Sequence, residues 1–191
     1  MKAKDKIIQS ATTLFLDKGI KKVNITDIIE DAGVSKMSFY RQFKNKEDIL
    51  LAVLKQFFMA SMDDYQKILD KKLSFLDFLN EIILMKIEVS KKMSKSFMEE
   101  LMSMFHEKNE ILDFLMEHQK KSTALFIEQL MQAKSNGEVG DDFSIEFLMY
   151  MMEKTQQVAS DPMLLQMFDT PEEAVKQATK FYFFGIYGQR K

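Results

Sequence analysis

Within one eight-residue stretch, Lys36-Met37-Ser38-Phe39-Tyr40-Arg41-Gln42-Phe43, stand the donor types that read base edges in a DNA major groove. Lys36, Arg41 and Gln42 can hydrogen-bond bases, and Met37 can contact a thymine methyl. Ser38 suits either a base or a phosphate. Tyr40, Thr26 and Lys46 suit phosphates, Lys46 being close to the positive N-terminus of the helix that follows. A helix must carry this set. Phe39 and Phe43, at i and i+4, point inward and leave Lys36, Met37, Ser38, Tyr40, Arg41 and Gln42 outward. Ser35 caps its start. A shorter apolar stripe, Ile25, Ile28, Ile29 and Ala32, precedes it, with Thr26 expected as cap and Gly33 as stop. The Ala32-Gly33-Val34-Ser35 connection then makes a helix-turn-helix, with Val34 plugging the angle between the helices.

Other elements hold this pair. Ile7, Ala11, Leu14 and Phe15 define a first helix that ends at Gly19, where a left-handed cap is expected. Asn45 caps a long helix over 46–70, with Asp48 in a box-like position. Helical periodicity continues over 74–92, 94–106, 108–135 and 143–160, the last capped by Asp142 or Ser144. The clearest loop is Asn136 to Asp142, and Asp161-Pro162 interrupts the pattern. Thr170-Pro171-Glu172-Glu173 opens a final helix to about Gly188. The expected fold is all-α, about nine helices: a three-helix helix-turn-helix head over 1–48 and a helical-bundle body over 49–191.

The run from Ile25 to Leu50 closely resembles the DNA-binding head of TetR-family transcriptional regulators. The matching features are a Gly ending the first helix (Gly19), a Thr opening the second (Thr26) and the A-G-V-S turn (Ala32 to Ser35). A Tyr followed three residues later by an aromatic (Tyr40, Phe43) and a Lys opening the fourth helix (Lys46) complete them. The likeness covers about residues 3–51. Ile29 replaces a usual small Ala, and Met37 replaces a usual Gly, Pro, Ala or Arg. The DNA-contacting set is therefore Thr26, Ser35, Lys36, Met37, Ser38, Tyr40, Arg41, Gln42 and Lys46.

The resemblance also implies roles for the body. Two C-terminal helices pair with their copies in a homodimer, giving Phe147, Met151, Ala174, Ala178, Phe181, Tyr182 and Gly185 as interface residues. Two reading helices then reach major grooves about one turn, or roughly 34–36 Å, apart. A small hydrophobic effector is implied among the middle helices, with Met62, Met85, Phe97, Leu101, Phe105, Leu125 and Phe126 as walls. Fourteen of the sixteen Met lie after residue 50, and such flexible side chains suit an adaptable apolar pocket. Stripes of Met and Phe at helical spacing are equally what an ordinary core shows.

Composition narrows the classes. Residues 1–50 carry ten Lys/Arg against seven Asp/Glu, while the rest carries seventeen against twenty-two, a basic head on an acidic body. Having no Cys removes disulfides and thiolate metal sites. No apolar run nears the roughly 20 residues of a spanning helix, and no secretory-type stretch follows Lys6, so no membrane association and a cytoplasmic location are expected. His106 and His118 lack acidic partners at metal-binding spacing, His118 reading as a solvated helix position. Glu99-Glu100 and Asp141-Asp142 are not paired-carboxylate sites, and the lysine pairs Lys91-Lys92 and Lys120-Lys121 read as solvated faces. With no phosphate loop or nucleophile framework, the chain is expected to be neither an enzyme nor a holder of a cofactor or metal. The expectation is a ligand-responsive repressor that binds a palindromic operator as a homodimer. The rival is a DNA-tethered protein-interaction module without a small-molecule ligand.

Overall fold

The structure is a computed structural model that describes residues 2–104, 109–140, 142–159 and 161–184. Its regular elements there are helices: α1 (Ala3–Lys18), α2 (Ile25–Ala32), α3 (Lys36–Tyr40), α4 (Lys46–Asp70), α5 (Phe75–Ser90), α6 (Lys95–Ser103), α7 (Glu110–Ser135), α8 (Ile145–Ala159), α9 (Pro162–Leu165) and α10 (Pro171–Phe184). The expected all-helical order holds. The segment read as an interruption at Pro162 is the four-residue α9, which uses that proline at its first position. None of the helices among the described residues is long and apolar enough to cross a membrane.

The chain divides into two compact units, Met1–Lys67 with Lys92–Ser122, and Ile68–Lys91 with Thr123–Lys191. The first unit is built on one continuous core. Ile7, Ala11 and Phe15 of α1, Ile28 of α2, Phe39 of α3 and Ile49 of α4 are fully buried there. Phe97 of α6 and Ile111 and Leu115 of α7 join the same cluster. Each such large side chain stabilises the fold by about 1.5–3 kcal/mol relative to exposure. Burial of Phe97, at 2% exposure, therefore ties α6 into the core beneath the helix-turn-helix.

In the second unit, Phe78, Leu79, Ile82, Ile83 and Ile87 form the buried stripe of α5. Phe126 of α7 meets Phe75 and Phe78 at ring-centroid distances of 6.3 and 6.4 Å. The Phe75 N–H donates to the Glu138 carboxylate at 2.6 Å, so the loop after α7 satisfies one free donor at the start of α5. Helix α10 packs on α8 and α5. Ala174 is fully buried, and the Tyr182 hydroxyl donates to the Leu148 carbonyl.

Most helix starts follow the expected capping chemistry. Asn45 Oδ1 accepts from Asp48 N at 2.8 Å, Ser144 Oγ from Phe147 N at 3.2 Å, and Thr170 Oγ1 from Glu173 N at 3.3 Å. Two details differ. Helix α2 is capped by Asn24, not Thr26: Asn24 Oδ1 accepts from Asp27 N at 3.0 Å, and Asn24 N donates to Asp27 Oδ2 at 2.8 Å. This reciprocal box satisfies two donors at once, whereas Thr26 has Ile29 three residues on and could satisfy only one. Gly19 does end α1, but with φ 89° and ψ 164°, an extended positive-φ conformation instead of the left-handed helical one. Helix α6 approaches so closely there that a Cβ on Gly19 would stand 2.5 Å from Ser96 Oγ.

Candidate nucleic-acid interface

The turn between α2 and α3 sets the reading helix. Gly33 takes the left-handed conformation, φ 60° and ψ 41°, which lets its own N–H and that of Val34 close back on the end of α2. Ser35 then caps α3: its Oγ accepts from Ser38 N at 3.1 Å and lies 3.2 Å from Ser38 Oγ. Regular helix stops at Tyr40, short of Phe43, but the turn continues: Gln42 N and Phe43 N both donate to the Phe39 carbonyl, at 2.8 and 3.0 Å. Phe43 thus still arrives on the inner face. Phe39 is 0% exposed, with Phe43 5.9 Å away between ring centroids and Tyr40 edge-on at 5.4 Å.

This inward anchoring leaves the expected outward set exposed except for Ser38. Lys36, Arg41 and Gln42 are exposed, Tyr40 is about half exposed, and Met37 is, among the described residues, the most open large apolar one at 86%. Ser38 is half-buried, its N–H and hydroxyl both engaged with Ser35. Thr26 is exposed at the second position of α2. Lys46, half-buried at the start of α4, donates from Nζ to the Lys21 carbonyl at 3.4 Å. Among the described residues, Lys36, Arg41 and Lys46 have no carboxylate in salt-bridge contact.

Sequence reasoning missed what holds this head from the other side. The Glu100 carboxylate on α6 accepts from Lys21 N at 2.7 Å through Oε2 and from Ser96 Oγ at 3.1 Å through Oε1. Burial pushes this carboxyl up, but the Lys21 N–H, the Ser96 hydroxyl and the Ile20 N–H outweigh it and hold it below the usual carboxylate range. Ser94 N also donates to the Leu16 carbonyl at 2.7 Å. The sequence offers no local signal for contacts across 79 positions.

The body residues fall into separate groups. Met62, half-buried, lies 4.0 Å from Ser122 Oγ, and Phe97 and Leu101 belong to the first unit's core or pack on it. Met85, Leu125 and Phe126 are half-buried in the second unit. Phe105 and Gly185 lie outside the described residues, as does His106. Of the residues assigned to subunit pairing, Phe147, Met151 and Phe181 are exposed, Phe181 at 61%. Phe143 stacks on Phe147 at 5.6 Å and lengthens that apolar stripe. Ala174, Ala178 and Tyr182 are buried or half-buried within the chain. His118 is half-buried, less open than a solvated position: it packs 4.1 Å from the Phe58 ring and 6.3 Å from Phe114. Lys91 and Lys121 are exposed, paired with Glu88 and Glu117 at 2.7 Å each. A shallow polar groove of about 320 Å³ lies between α1 and α2, lined by Lys6, Gln9, Ser10, Thr13, Asp31 and Ala32. Among the described residues no cluster of three His, Asp or Glu could hold a metal.

Comparison with known proteins agrees with this geometry. The family model described as bacterial regulatory proteins, tetR family, matches residues 7–53, the helix-turn-helix and the start of α4. The chain is 35% identical over 85 residues to the HTH-type transcriptional repressor KstR2 of Mycolicibacterium smegmatis, a stretch that is 44% of this chain and 42% of that protein. The match thus spans less than half of that relative's length. Among solved structures, the fatty acid degradation regulator FadR from Bacillus halodurans has a TM-score of 0.74 at 18% identity, covering 99% of this chain and 98% of that one. FadR from Bacillus subtilis, solved in complex with stearoyl-CoA, has a TM-score of 0.73 at 18% identity, covering 95% and 98%. The fold is that of these regulators over nearly the whole length.

Proposed function

From the match of residues 7–53 to the model of the bacterial tetR regulatory proteins and the 35% identity over 85 residues to a transcriptional repressor, we propose that this chain is a DNA-binding transcriptional regulator of that family and a ligand-responsive repressor. Residues 1–48 form its DNA-binding domain, and residues 49–191 form the body that pairs two copies and receives the effector. It binds a palindromic operator as a homodimer. Lys36, Met37, Arg41 and Gln42 read bases, Thr26, Ser35, Ser38, Tyr40 and Lys46 contact phosphate or sugar, and a small lipophilic effector releases the complex. The observation that carries the reading is the two-sided character of α3 and the turn after it. Fully buried Phe39 and buried Phe43 fix the element, and the donors and Met37 are left open on the other side.

Two heads are needed because one five-residue helix presents few base contacts. A twofold pair doubles them and imposes half-site spacing. The exposed stripe of Phe143, Phe147 and Met151 on and before α8, with Phe181 on α10, supports pairing through these helices. Such a stripe is expensive to leave in water, and covering it in a dimer recovers about 25 cal/mol per Å² of apolar area. For the effector, support comes from the methionine-rich body and from the FadR neighbour that holds stearoyl-CoA. The effector lowers operator affinity only by as much as it prefers the non-binding arrangement. Moving the population from 99:1 to 1:99 takes a preference of about 10⁴-fold.

The test is fluorescence anisotropy of the full chain on a duplex recovered by selection from random DNA, across a salt series, with stearoyl-CoA and free fatty acids as effector probes. Lys46→Ala is expected to lower affinity for specific and nonspecific DNA alike and to reduce the salt slope by about 1. Tyr40→Phe is expected to weaken both by the loss of one hydrogen bond. Unchanged affinity in both variants would remove these two residues from the interface. Failure of every lipophilic probe to release DNA would count against the effector.

A further inference from the structure

Lys21 is held from both sides by groups distant in sequence. Its N–H donates to Glu100 Oε2 on α6 at 2.7 Å, and its carbonyl accepts from Lys46 Nζ on α4 at 3.4 Å. The residue itself is exposed and has no regular element of its own, lying in the turn between α1 and the Asn24 cap of α2. Its neighbours Ile20 and Val23 are buried, so the turn has little freedom to follow one partner and abandon the other. The start of α6 also meets the end of α1, and a bond within α6 holds the Glu100 carboxylate in place. Ser94 N donates to the Leu16 carbonyl at 2.7 Å, Ser96 Oγ donates to Glu100 Oε1 at 3.1 Å, and Ser96 fills the space beside Gly19 where any side chain would stand.

The lysine at the far end of this chain of contacts is the one that, on the reading above, meets phosphate. Its ammonium is oriented here by a neutral carbonyl, and among the described residues no carboxylate lies at salt-bridge distance. A carbonyl that shifts with the turn moves the ammonium with it. We infer that Glu100 is a positioning residue for DNA binding: by gripping the Lys21 backbone it sets where Lys46 presents its charge. The inference rests on the proposed phosphate role of Lys46. Glu99, next in sequence, has no such part, since it is exposed and lies 3.8 Å from Lys95 on its own helix.

A staple that merely stabilises the head would give the same contacts, and a double-mutant cycle separates the two roles. The full-length wild type, Glu100→Ala, Lys46→Ala and the double variant are compared on one duplex selected with the wild type. Glu100→Ala is expected to lower affinity about fivefold when Lys46 is present and less than twofold when it is already Ala, because the effect is routed through that side chain. Glu100→Gln, which keeps the size and one carbonyl acceptor, is expected to fall between, and it replaces the Ala variant should that one not fold. Hydrogen exchange at the Lys21 amide is expected to accelerate in both variants, since that N–H loses its charged acceptor. Equal losses in both backgrounds would reduce Glu100 to a structural staple and overturn the inference. So would an unchanged affinity in Glu100→Ala while Lys46→Ala still weakens binding. If Lys46→Ala itself costs nothing, the phosphate reading fails first and the inference falls with it, an outcome distinguishable because the Lys46 variant alone reports it.

Discussion

Gly19→Ala is expected to destabilise the protein several-fold more than Gly33→Ala, although both glycines have positive φ and both end a helix. At Gly33 the backbone is left-handed helical, φ 60° and ψ 41°, and an added Cβ meets nothing within 4 Å. An L-residue there costs about 1–2 kcal/mol, offset by about 0.4–1 kcal/mol from the less flexible unfolded chain. The net loss lies between about 0 and 1.6 kcal/mol. At Gly19, φ 89° with ψ 164° is a combination populated almost solely by glycine, and forcing alanine into it costs about 1–3 kcal/mol. Its Cβ would also stand 2.5 Å from Ser96 Oγ, 3.0 Å from Ser96 Cβ and 3.2 Å from Glu100 Oε2. Crowding of that kind typically adds about 1–3 kcal/mol, for a total of about 2–6 kcal/mol before the same unfolded-chain offset. The two parts separate in a Ser96→Ala background, which removes the atom at 2.5 Å and leaves the one at 3.0 Å. There Gly19→Ala should cost about 1 kcal/mol less, a coupling large enough to measure by urea denaturation followed by circular dichroism. Equal losses for the two glycines, or a Gly19→Ala loss unaffected by Ser96→Ala, would refute the claim that α6 closes on the end of α1.

Other perturbations test other levels of the account. Ser35→Ala removes the cap of the short α3 and is expected to cost about 1 kcal/mol of stability while weakening specific more than nonspecific DNA binding, read by urea melts and anisotropy. Burial between Phe58 and Phe114, with repulsion from Lys121, holds the His118 imidazole below its ordinary value of 6.5. The folded state therefore takes up its proton less readily than the unfolded chain does. Stability present above pH 6.5 is lost as the pH falls from there through the folded value. His118→Phe should flatten the dependence of Tm on pH in that window. Phe147→Glu combined with Phe181→Glu places charge in the exposed apolar stripe and should give a monomer by sedimentation. A dimer that survives both would move the subunit interface elsewhere.

Much of the head is written locally, and the sequence shows it for that reason. Phe39 and Phe43 at i and i+4, a Gly where φ must turn positive, and Ser or Asn three residues before a free N–H each depend on neighbours within one turn. The Asn24 cap was equally local: Asn24 and Asp27 carry the reciprocal box that Thr26 cannot form, so the stronger of two nearby signals was passed over. Glu100 was illegible for a different reason. One member of an adjacent acidic pair binds its own helix and the other a backbone N–H 79 positions away, and no periodicity separates them. His118 followed the same logic, since the polar residue that looked solvated is covered by a ring from another helix. In the body, stripes of Met and Phe mark helices well but do not say which faces meet. Phe97 is accordingly a core residue beneath the head, while Phe147 and Phe181 on similar stripes remain open.

The most direct measurement is a selection from random double-stranded DNA with the purified full chain, at two salt concentrations and in excess nonspecific competitor. The account predicts recovery of one sequence with twofold symmetry, its half-site centres about 10 base pairs or a multiple of that apart, and an affinity falling steeply with salt. Recovery of sequences without symmetry, or no enrichment over competitor at either salt concentration, would contradict the reading of α3 as one half of a paired operator-recognition surface.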